Sequence, residues 1–69
     1  MVVEITRGSL LSDLIDAFTR NGCLAHRIAP TACRVVHAHA RDRDEARLEI
    51  AFFLRAWQLR HPGVEATIA

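Results

Sequence analysis

Residues 23–40, CLAHRIAPTACRVVHAHA, decide the fold, because they read as two strands and a turn in the middle of the chain. Cys23–Ala29 and residues 32–40 are the strand candidates, and Pro30-Thr31 between them suits a turn. With those two residues as the whole loop, Arg27 faces Arg34, Ala25 faces Val36 and Leu24 faces His37. One face then carries Leu24, His26, Ile28, Cys33, Val35, His37 and His39. The other carries Cys23, Ala25, Arg27, Arg34, Val36, Ala38 and Ala40. Small residues lie well under helices, so the second set is expected to face them. A bulge of one residue would exchange the faces.

A helical pattern flanks this hairpin on each side. Upstream, Ser9 is expected to cap a helix with Leu11, Leu14, Ile15 and Phe18 at helical spacing and Asp13 and Asp16 outward. Asn21-Gly22 ends it, with Gly supplying the left-handed position after the last turn. Downstream, residues 41–62, RDRDEARLEIAFFLRAWQLRHP, form the longest patterned segment. Asp42 and Asp44 suit its N-cap, Glu45 its positive dipole end, and Pro62-Gly63 its stop. Beyond the helices, residues 1–6 (MVVEIT) and 64–69 (VEATIA) have strand character, the latter with Val64, Ala66 and Ile68 inward. The order β-α-β-β-α-β predicts a single α+β domain over residues 1–69. Its expected form is the ferredoxin-like split β-α-β: a four-stranded antiparallel sheet with two helices on one face.

The long helix carries one apolar stripe more than that fold requires. At about 100° per residue, Ala46, Ile50, Phe53, Leu54 and Trp57 make the stripe that closes a core. Leu48, Phe52, Ala56 and Leu59 make a second one, between Arg47/Arg55 and Glu49/Arg60. Either the chain's own loops cover it or another copy of the chain does. The second reading is preferred, because a 69-residue core is only marginally stabilising and association adds to it. The open sheet face is also too apolar to be simply solvated.

Composition narrows the function classes. The net charge of +1 provides no general field for nucleic acid or membrane. No apolar run approaches spanning length, and Met1 enters a strand-like stretch without the charged and apolar regions of a leader. A cytoplasmic location with both cysteines reduced is therefore expected. The sheet also lacks the aromatic residues on which RNA bases stack.

The segments between these elements resemble the ACT domain family of small regulatory ligand-binding modules, over nearly the whole chain. Arg7-Gly8-Ser9-Leu10-Leu11 looks like that family's strand-to-helix turn, Asn21-Gly22-Cys23 like its helix-to-strand junction, and His61-Pro62-Gly63-Val64 like its last turn. Thr6 and Arg7 stand where the family has an acidic residue and a proline. The resemblance implies a small-molecule ligand at a subunit interface beside Gly8, Ser9, Leu10, Asn21, Gly22 and Cys23.

Other chemistry has thinner support. Gly8-Ser9 at a helix start would suit an anion, but the turn lacks the glycines and lysine of a phosphate loop. His26, Cys33, His37 and His39 fall on one expected face, and strand residues two apart are separated by roughly 6–7 Å. That set would serve metal handling or a Cys–His reaction, without any established ligand spacing. Cys23 follows a helix C-terminus, which raises a thiol pKa and makes a poor nucleophile. No cofactor is expected. The sequence reads as a non-enzymatic, self-associating protein; the alternatives are the His/Cys chemistry and a docking subunit for another protein.

Overall fold

The computed structural model describes residues 1–69. Its elements are β1 (Val2–Ile5), α1 (Leu11–Arg20), β2 (Cys23–Ala29), β3 (Ala32–His37), α2 (Arg43–Leu59) and β4 (Ala66–Ile68). The chain is α+β, with one sheet in the order β2-β3-β1-β4 and every neighbouring pair antiparallel. β3 lies between β1 and β2, and β1 lies between β3 and β4, so each helix connects two strands across a third.

The hairpin register corrects the expected faces. Ala29 pairs with Ala32 across the Pro30-Thr31 turn, but a shift between Arg27 and Ala29 sets Arg27 against Cys33. Ile28 is the extra residue of this bulge, and beyond it every pairing is displaced by one position. His26 therefore faces Arg34, Leu24 faces Val36 and Cys23 faces His37. β2 keeps its expected orientation, with Cys23 and Ala25 toward the helices. β3 is reversed: Cys33, Val35 and His37 join the helix side, whereas Arg34 and Val36 lie on the open face.

Fourteen buried residues form the core, drawn from both helices and all four strands. Val3, Ile5, Cys23, Cys33, Val35 and Ala66 come from one face of the sheet, and Leu11, Leu14, Ala17, Phe18, Ile50, Leu54 and Trp57 from the helices. Phe18 on α1 and Phe53 on α2 stack with ring centroids 4.5 Å apart, joining the helices above the sheet.

Element ends differ from expectation for local reasons. Ser9 does not cap α1: a 3-10 turn at Gly8–Leu10 precedes it, and the N-cap is Leu10 without a side-chain acceptor. Asp42 does cap α2, accepting from Glu45 N–H at 2.8 Å. β3 stops at His37 rather than residue 40, because His39 N–H turns back to His37 Nδ1 at 3.2 Å. β4 is shorter than residues 64–69: Glu65 N–H is taken by Thr6 Oγ1 and Ala66 N–H by Gln58 Oε1, both at 3.0 Å. Val64 and Ala66 nevertheless point inward as expected.

Candidate functional site

α2 has two apolar faces, and the chain uses one of them. Ile50, Leu54 and Trp57 are buried with Phe53 packed beside them, while Leu48 is 72% exposed, Phe52 78% and Leu59 79%. Ala56 lies in the same exposed row. No loop of the chain covers this second stripe, which removes the reading that it is sheltered from within. A large aromatic ring held in water on a helix whose other face is buried is an unused contact.

The stripe meets polar groups along one edge. Asn21, Glu49, Phe52, Phe53, Ala56 and Arg60 line a shallow groove between the end of α1 and the flank of α2. The groove continues inward to a niche lined by Asn21, Cys23, His37, Glu49, Ile50 and Phe53. There His37 Nδ1 accepts from His39 N–H, so Nε2 carries the proton and donates to Glu49 Oε2 at 2.6 Å. Both imidazole nitrogens are thus engaged, and neither is free to take a proton from Cys23 across the strand pair. Burial, reinforced by the negative charge of Glu49, pushes the Cys23 thiol up. Cys33 is also pushed up by burial, with Arg27 opposing. A buried thiol pushed up rather than down, across the strand pair from a fully engaged histidine, is not an activated nucleophile.

The expected His/Cys cluster is divided. Cys33 and His37 lie on the helix side four residues apart, His26 lies on the open face, and His39 lies in the turn after β3 with its ring against Gly22. No group of three or more His, Cys, Asp or Glu side chains comes close enough to hold a metal ion. The bulge at Ile28 accounts for the division, since it puts Cys33 and His26 on opposite faces.

The positions implied by the ACT resemblance fall at opposite ends of the sheet. Gly8, Ser9 and Leu10 lie beside the Pro30-Thr31 turn, whereas Asn21, Gly22 and Cys23 lie where Cys23 pairs with His37. Six residues of strand separate these ends, roughly 20 Å. No cavity is bordered by Gly8, Ser9 or Leu10.

Two polar arrangements were not legible in the sequence. One is the pairing of Glu49 with His37. In the other, Asp13 Oδ2 accepts from Trp57 Nε1 at 3.0 Å and lies 3.3 Å from His61 Nε2. His61 stacks on Trp57 with centroids 4.1 Å apart, so Asp13 ties α1 to the last turn of α2. The sheet contributes a second exposed apolar area: Leu24 at 67%, Val36 and Ile28, interspersed with His26 and Arg34. No helix is long and apolar enough to cross a membrane. Comparison with protein-family models, with curated proteins and with solved structures finds no match.

Proposed function

We propose that this chain is a small, non-enzymatic, cytoplasmic domain of the ferredoxin-like type whose function depends on association with copies of itself. The fold assignment draws on the strand order, in which β3 is inserted between β1 and β2 of one β-α-β unit and β1 between β3 and β4 of the other. The observation that carries the association is the exposed row of Leu48, Phe52 and Leu59 on a helix whose opposite face already fills the core. Burying a side chain of this kind contributes roughly 1.5–3 kcal/mol, a large gain for a domain with so small an interior.

The chemistry of the niche supports the non-enzymatic part of this reading. Its thiol is raised rather than activated, and its histidine has no free nitrogen. The ACT-like part concerns a regulatory ligand held between subunits. Within one chain Gly8 is accounted for by the Pro30 turn, so such a ligand would have to be enclosed by two copies.

Light scattering on purified protein across micromolar concentrations tests the proposal. A concentration-dependent dimer or higher species is expected. A well-behaved monomer throughout would overturn it.

A further inference from the structure

We infer that two copies pair through α2 in antiparallel orientation, with Arg60 of each seated against Glu49 of the other. This rests on the proposed self-association and specifies its geometry.

The argument starts from the charges bordering the exposed stripe. At about 100° per residue, Glu49 and Arg60 fall along one edge and Asp44 and Arg55 along the other, while Glu45 falls within the stripe between the Phe52 and Ala56 positions. Arg47 lies beyond Arg55 on that flank and Arg43 farther still, toward the core side. The rim of the stripe is therefore acidic toward the N-terminal end of α2 and basic toward its C-terminal end.

A two-fold axis across antiparallel helices brings like edges together with their ends reversed. Setting Leu48 level with Leu59 of the second copy, and Phe52 near the centre, places Arg60 level with residue 47. That is about 3 Å along the axis from Glu49 of the second copy. Arg60 makes no ion pair within its own chain. Glu49 uses only Oε2, on His37, which leaves Oε1 for a second cation. Glu45 is already neutralised by Arg41, which engages both of its carboxylate oxygens, so Glu49 is the acidic partner left for Arg60. On the other edge Arg55 comes level with Phe52 of the second copy, where a guanidinium stacks favourably on a ring. The two Arg55 side chains approach each other only at the solvated rim, where salt screens them.

The parallel alternative aligns the same apolar residues but opposes the charges. Asp44 would stand beside Glu45 of the second copy, and Arg55 near Arg60. The helix dipoles would also lie side by side in the same sense. Ala56 favours close approach in either case, so charge decides the orientation. Three large apolar side chains per copy make a small interface, at or below the roughly 1,200 Å² low end for stable pairs.

Leu48→Cys and Leu59→Cys chains test the geometry under brief oxidation, with the native thiols buried in the core. An equimolar mixture is expected to cross-link, and neither chain alone. Cross-linking of Leu48→Cys alone would overturn the antiparallel orientation while leaving self-association intact. A Phe52→Glu protein that stays folded and remains a dimer would overturn α2 as the interface and shift it to the open sheet face. Arg60→Glu is expected to weaken the dimer about 10-fold in low salt and much less in high salt. No change at low salt would overturn the seating of Arg60. A monomeric parent protein would overturn self-association itself.

Discussion

The carbonyl oxygen of Pro30 lies 2.7 Å from the point where a β-carbon on Gly8 would stand. That contact lays the hairpin turn on the connection between β1 and α1, and Ile5 N–H donates to Thr31 O at 2.9 Å beside it. Gly8 is needed because backbone, not a movable side chain, occupies the space.

Gly8→Ala is therefore expected to lower stability by about 1–3 kcal/mol, the usual cost of overpacking. Gly63→Ala is the informative companion. Nothing lies within 4 Å of its β-carbon position, but its φ of +87° is strained for any other residue. Its cost is about 1–2 kcal/mol, of conformational origin. Urea unfolding of both variants, with repacking sought in the Gly8→Ala structure alone, separates the two causes.

Asp13 is the only side chain that joins both the Trp57 indole and the His61 ring to α1. Asp13→Ala leaves Trp57 Nε1 without its partner in a fully buried residue. The expected loss is about 1 kcal/mol, reduced from the value for a buried charged acceptor because the Asp13 side chain is half exposed. Trp57 is the single tryptophan, so its fluorescence reports the change directly.

In the alkaline range the thiols are the only side chains that titrate below arginine, since the chain has no Lys and no Tyr. Burial holds Cys23 and Cys33 above the ordinary thiol value, so the unfolded chain gives up these protons first as pH rises. Stability is complete below the ordinary thiol range, about pH 8.5, and is lost as pH climbs through the folded values. A urea midpoint that falls above about pH 8.5 is expected. A Cys23→Ser, Cys33→Ser chain should flatten that fall. Glu49→Gln tests the smaller cause: removing its charge should lower the Cys23 pKa and speed alkylation of that thiol at fixed pH.

These predictions divide along the line between what the sequence shows and what it conceals. The two stripes of α2 were legible because 3.6-residue periodicity acts within one continuous element, and Asp42 announced its cap locally. The faces of β3 were not. Period-2 alternation states which residues share a face within a strand, but not which face meets the neighbour. Ile28 changes that phase without a Gly or Pro to mark it. The same bulge divided His26 from Cys33, so the expected His/Cys site failed for a reason of register. The links of Asp13 to Trp57 and of His37 to Glu49 span distant segments, and no local pattern encodes them.

Ile50 and Phe52 provide the sharpest contrast within one helix, since Ile50 is 1% exposed and Phe52 78%. A carboxylate at Ile50 would be buried in the core without a partner, at a cost of several kcal/mol against a total of about 5–15. Ile50→Glu is thus expected to unfold the chain. Phe52→Glu adds a charge already in water, so the fold should remain within about 0.5 kcal/mol of the parent. Its effect is expected on the proposed association, where a charge that must stay hydrated would replace the ring near the centre of the stripe. Far-ultraviolet circular dichroism and light scattering on the two variants read the two outcomes separately. If Phe52→Glu unfolds the chain while Ile50→Glu leaves it folded, the inner and outer faces of α2 have been interchanged.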